Sequence, residues 1–278
     1  MFLSNYILRM KKCFLLLLSV VCITAVFAQN KTKSSKKDKN STAVTSDSSK
    51  QLVNIPTDKP AASPKKDWSK INFNNRANDH FMIQFGTDDW LNKPSWVNTG
   101  GFSRHFNFYL MLDKPFKSNP HFSAAYGLGL TCNNIFFTNQ SINLSKDTVQ
   151  FDNNTTYSKF KLTTMYLTLP VELRYFTDPV NPNKSWKFAI GAKAGLLVNA
   201  YTKGKNLLDK NGNSAHGTSY TVKEYNSSFF DSYLLSLTGR VGWGNFSLNA
   251  DYHVTTVFKD GFGPAVHPLS IGLTISGL

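Results

Sequence analysis

Cysteine is scarce, with three in 278 residues, and Cys13 and Cys22 fall within an apolar N-terminal run. Cys132 is left alone, which excludes an internal disulfide framework, a CxxC redox pair and a cysteine-rich zinc site. The six histidines show no metal-ligand spacing. The GxGxxG phosphate loop is missing, and Gly127-Leu128-Gly129 instead thins a strand where space is tight. No nucleophile motif of the GxSxG kind is present. Beyond the N-terminal run no stretch of eighteen apolar residues occurs, so no further transmembrane helix is expected. No cofactor, no metal and no catalytic residue is assigned.

Acidic residues are also few, 17 against 31 Lys and Arg, for a formal charge of +14. The excess is unevenly placed. Arg9, Lys11 and Lys12 contribute +3, and residues 29–70, with ten Lys and four Asp, contribute +6. The rest carries only +5 with no basic stripe along the sequence, so nucleic-acid binding loses its main support.

What is present begins with a secretory signal. Arg9, Lys11 and Lys12 form a positive n-region, Phe14 to Phe27 the apolar core, and Val26-Phe27-Ala28 a cut site before Gln29. Translation starts at Met1 or Met10, since Met10-Lys11-Lys12 alone opens a normal signal. Residues 29–78 mix Lys with Ser, Thr, Asn, Asp and Pro. That composition buries too little apolar surface to order itself and reads as a disordered tether. Residues 79–278 have the length of one domain.

In that domain the dominant period is two. Eight segments alternate: 80–88, 101–113, 121–136, 161–176, 185–202, 229–243, 245–258 and 267–276. One phase is apolar, as in Leu167, Leu169, Val171 and Leu173. The other carries Gln84, Glu172, Arg174, Lys193, Arg240, Asp251 and His253. A soluble periplasmic β-sandwich also alternates. Three features favour an eight-stranded antiparallel transmembrane β-barrel, an up-and-down meander. The connections alternate short and long, and the two loops near twenty-five residues contain apolar triplets that suggest raised β-ribbons. Phe122, Tyr175, Trp186, Trp243 and Phe246 all fall at the short-turn ends of the apolar phase, as a lipid-boundary girdle requires. The mid-strand charges would pair in a narrow lumen, in a cluster of Glu172, Arg174, Lys193, Arg240, Asp251 and His253. Pro170, within the fourth segment, predicts a bulge or a local break in pairing.

The stretch Tyr166-Leu167-Thr168-Leu169-Pro170-Val171-Glu172-Leu173-Arg174-Tyr175-Phe176 resembles the Y-L-x-x-P-x-x-x-x-Y strand of PorT-like outer-membrane β-barrel proteins. The glycine-rich Ala189–Gly195 follows it, as in that family. The resemblance covers about residues 79–278. It implies eight strands with both barrel ends in the periplasm, and a link to machinery that exports proteins across the outer membrane. The chain departs from bacterial barrels that end in an aromatic residue, since its terminal residue is Leu278.

Catalysis would need a constellation. Asp251 and His253, two apart on one strand, share a face, and a serine such as Ser236 could join them. This sets a lipid-modifying enzyme of the lipid A acyl hydrolase type against the main expectation. That expectation is a non-enzymatic outer-membrane barrel, structural or interacting, with its tether in the periplasm. Its partners are outer-membrane lipid and, through long loops and tether, envelope or secretion-system proteins.

Overall fold

The computed structural model describes residues 80–100, 102–145, 147–153 and 157–277. The signal segment 1–28, the linker 29–78 and Leu278 lie outside the described residues. Alternating side chains, with β-branched and aromatic residues frequent, build these strands: β1 (Phe81–Leu91), β2 (Arg104–Pro115), β3 (Phe122–Phe137), β4 (Ser141–Asn143), β5 (Gln150–Asp152), β6 (Tyr157–Phe176), β7 (Trp186–Leu207), β8 (Thr221–Tyr225), β9 (Tyr233–Trp243), β10 (Phe246–His253) and β11 (His267–Ser276). Eight of them form a closed antiparallel ring, in the order β1-β2-β3-β6-β7-β9-β10-β11 and back to β1. Strands β4 and β5 make a small separate hairpin, and β8 extends the sheet on the far end of β7.

The direction of the two phases decides between barrel and sandwich. The apolar phase faces out: Ile190 is 69 % exposed, Leu248 58 % and Leu169 47 %. The polar phase faces in, where Gln84, Ser123 and Thr274 are fully buried. A soluble sandwich hides the first set and wets the second, so this surface requires lipid. A charge placed on the apolar band should therefore be costly. Leu169→Arg is expected to lower stability by about 2–4 kcal/mol, read as the urea midpoint of the protein refolded into lipid vesicles. An unchanged midpoint would mean that Leu169 does not meet lipid.

Short connections at 116–121, 177–185 and 244–245 define one rim. In the last, Gly244 sits at φ +59°, a left-handed conformation that glycine adopts without a Cβ penalty. The five aromatics expected at this rim are there and exposed. Phe122 and Tyr175 rings lie 5.1 Å apart, and Trp186 meets Trp243 edge-on at 5.6 Å. The other rim carries four long connections, at 92–103, 138–156, 208–232 and 254–266.

One local expectation is met and two strand bounds change. Pro170 does interrupt the ladder: β3 pairs Tyr126 with Val171 and next Gly129 with Thr168, skipping the positions between. The register is the same on both sides, so no bulge forms there and Glu172 and Arg174 stay inside. The missing N–H is absorbed by leaving two rungs unmade. The irregularity on the other flank of β6 lies at Met165/Tyr166 against β7. Strand β9 begins at Tyr233 rather than Phe229, and β10 ends at His253 rather than Phe258. Phe229, Phe230 and Phe258 turn into a buried apolar cluster instead.

Candidate functional site

The lumen toward the short-turn rim holds buried ion pairs beside a small apolar cluster of Met82, Met111 and Ala125. Strand β6 brings Glu172 and Arg174 inward and β9 brings Arg240 to meet them. Glu172 accepts from Arg174 Nε at 2.8 Å, and from Arg240 Nε at 3.2 Å and Nη2 at 2.8 Å. One carboxylate thus lies between two guanidiniums, all three almost fully buried. A second group spans the ring nearer its middle. Lys193 Nζ sits 2.8 Å from an Asp251 oxygen and donates to Gln84 Oε1 at 3.0 Å. Gln84 Oε1 also accepts from Asn107, and its amide donates to Thr274 Oγ1 at 3.1 Å. Thr274 passes the chain to Asn249, which donates to Asp251. Strands β1, β2, β7, β10 and β11 are tied together by this one circuit. His105 and Asp88 form a further buried contact at 2.7 Å.

These bonds settle what the expected lumen cluster looks like. Glu172, Arg174 and Arg240 come together, and so do Lys193 and Asp251. His253 is buried on the same face, but what the structure records there is its backbone carbonyl accepting from His267. Glycine makes room for the rest. A Cβ on Gly129 would lie 2.5 Å from the Tyr109 ring, and Tyr109 needs that space to reach Thr131 at 2.8 Å.

The three residues considered for catalysis are neighbours without being a triad. Ser236 stands directly opposite His253, and Asp251 opposite Thr238. The Ser236 hydroxyl has no hydrogen-bond partner among the described residues, His253 included. Asp251 is committed to Lys193 and Asn249. A nucleophile–base–orienter relay needs both of the contacts that are missing. Among the described residues, no group of three or more His, Cys, Asp or Glu converges as a metal site would.

The opposite half of the interior is apolar, which period-two reasoning missed. Trp90, Ile135, Phe137, Leu162 and Phe160 on the strand ends meet Ile142, Leu144, Phe230, Phe258 and Val266 from the loops. Trp90 lies edge-on to Phe137 at 5.6 Å and to Phe258 at 5.8 Å. The long loops are therefore folded onto the barrel mouth as an apolar cap. The β4–β5 hairpin, anticipated as a raised ribbon, is pinned from β8 and beyond: Glu224 accepts from the Leu144 amide at 3.1 Å and Asn226 donates to the Leu144 carbonyl at 2.9 Å. Between this hairpin and strands β6, β7 and β8 lies an open, mainly polar cleft lined by Ser141, Asn143, Asp152, Tyr157, Thr202 and Glu224 with Ile142, Phe160 and Val222. A signal for the cap was available. On β6 the inward phase reads Phe160, Leu162, Thr164, Tyr166, then Glu172 and Arg174, so it changes from apolar to charged along one strand.

Residues 70–258 match the family model described as outer membrane protein beta-barrel domain. No curated protein matches the chain.

Proposed function

Because the chain belongs to the outer membrane protein beta-barrel domain family, we propose that it is a non-enzymatic structural or interaction component of the cell envelope, serving a secretion-related assembly of the PorT-like kind. The barrel resides in the outer membrane. In this reading the short-turn rim faces the periplasm with the N-terminal linker, and the long loops face outward. The observation that carries the reading is the occupied interior. An eight-stranded barrel has room for side chains or at most one small ligand; here ion pairs span one half and an aromatic cap covers the other. The surfaces left for work are the ordered loop rim, with its polar cleft, and the linker.

Affinity purification of the full chain in mild detergent tests it. The expected result is stoichiometric recovery of one or more envelope proteins, lost when residues 138–156 are replaced by a short turn. Recovery of the barrel alone, with and without crosslinking, would count against an assembly role.

The lipid-modifying alternative makes an opposite forecast. A lipid substrate lies outside the ring, whereas His253, Asp251 and Ser236 point into its buried interior. His253→Ala should leave the acylation pattern of lipid A unchanged by mass spectrometry. A pattern that changes on deletion of the protein, is restored by the native chain and is not restored by His253→Ala would overturn the non-enzymatic reading.

A further inference from the structure

Strands β6 and β7 continue past the lipid-facing band, and β8 joins them to make a three-stranded ribbon. Its register sets Lys159 opposite Lys205, Lys161 opposite Lys203, and Lys203 in turn opposite Lys223. Like charges directly opposite one another destabilise a sheet, so folding alone does not account for this arrangement. All five lie on the outer phase. Phe160, Leu162, Thr202 and Gly204, which alternate with them, are buried toward the cap. None of the five forms an ion pair with a carboxylate among the described residues. Glu224 on β8 is turned to the other face, where it holds the Leu144 amide. Lys161 reaches only the neutral Asn134, at 2.6 Å, and Lys223 lies over the Tyr201 ring at 5.9 Å.

The cationic face continues around the barrel. Lys161 stands opposite Phe136 of β3, and Arg104 of β2 rests against that ring at 5.4 Å. Exposed aromatics border it, Phe102 at 65 % and Tyr225 at 59 %. Amphipathic rings of this kind favour the lipid–water boundary. The height is informative. Along β6 the outward residues run Leu169, Leu167, Met165 and then, four residues past Met165, Lys161. Four residues of a tilted strand climb about 10 Å along the barrel axis, from the top of the acyl region to the level of lipid headgroups. The face lies on the flank of the barrel, where surrounding lipid packs, rather than on the loop tips that a soluble partner would meet first.

We propose that this lysine face binds the phosphorylated headgroups of the glycolipid in the outer leaflet, with phosphate oxygens bridging the opposed ammonium groups and relieving their repulsion. The inference rests on the outward placement of the long loops given above.

The test uses the full mature chain in phosphatidylcholine nanodiscs, titrated with phosphorylated lipid A and with the same lipid after phosphate removal. Native mass spectrometry reads the occupancy. A lysine near an anionic surface contributes about fivefold in affinity. The combined K161Q, K203Q and K223Q variant is therefore expected to bind phosphorylated lipid A on the order of a hundredfold more weakly. The dephosphorylated lipid should bind the native and variant proteins equally poorly. Equal binding of the two lipids by the native chain, or unchanged binding by the variant, would overturn the proposal, as would dependence of an acidic protein partner rather than lipid on these lysines. Heat-modifiable gel migration and outer-membrane fractionation report the barrel separately. An intact, outer-membrane barrel without lipid discrimination removes only this inference, whereas loss of outer-membrane fractionation removes the reading beneath it.

Discussion

Glu172→Ala is expected to destabilise the barrel by about 3–5 kcal/mol, because it takes from buried Arg240 the carboxylate it bonds and from Arg174 its shorter carboxylate contact. Arg240 contacts Glu172 through two nitrogens, and Arg174 Nε uses the same carboxylate. All three side chains are within 3 % of complete burial, so solvent screening offers little relief. The loss should appear as a lower urea midpoint in vesicles and a lower temperature for the heat-modified gel shift. The sign of the effect is tested by a second variant. Asp113 also lies 3.7 Å from Arg174 and is buried with it, so Glu172→Leu combined with Arg174→Met, Arg240→Met and Asp113→Asn removes the charges together, and replacing a whole buried ion cluster by neutral residues is often tolerated. Recovery in the combined variant would assign the loss to unpaired charge. A single variant as stable as the native chain would show that the carboxylate does not hold the guanidiniums.

The second large effect belongs to the cap. Phe258 is 1 % exposed and its ring meets Phe230 at 5.3 Å, Trp90 at 5.8 Å and Phe151 at 6.3 Å. Removing such a ring costs about 3–5 kcal/mol. The cap is built from loops as well as strand ends, so the loss should be local. In Phe258→Ala, amide exchange in segments 141–152 and 229–231 is expected to rise by at least about a hundredfold, while the mid-strand amides of β1 and β11 keep their protection. Loops and strands losing protection together would mean that cap and barrel open as one unit.

Much of this architecture was legible in the sequence, and the boundary of what was not has a physical cause. Within the membrane the solvent is lipid, so Leu167, Leu169 and Val171 face out while Glu172 and Arg174 face in. A simple alternation encodes that. Beyond the lipid-facing band the solvent is water and the same strand reverses its meaning: Lys159 and Lys161 face out while Phe160 and Leu162 face in. Period two persists through the reversal, so it cannot mark where the reversal occurs. For the same reason Phe258 reads as a continuation of the seventh strand although it lies in the cap. The loop contributors Ile142, Leu144 and Phe230 belong to no long alternating run at all. The five rim aromatics were legible because they sit at strand ends, next to turns that announce themselves. A lumen cluster containing Glu172 and Arg240 was legible too, but its partition was not: Glu172 with both guanidiniums, 68 positions from Arg240, and Lys193 with Asp251 follow only from the closed ring.

The seam between β1 and β11 has a consequence for assembly. Gln84 meets Thr274 across 190 positions of chain, so the last rungs join the two ends of the domain. Closing so long a loop is entropically late and slow. Until it happens the sheet has two open edges and an inner face rich in charge, neither of which hydrocarbon tolerates. Gln84 is also the residue to which Lys193 and Asn107 donate. The polar circuit can therefore be completed only by the act of closure. Insertion and sealing should be one concerted event, with the interior hydrogen bonds acting as the latch that holds the ring closed.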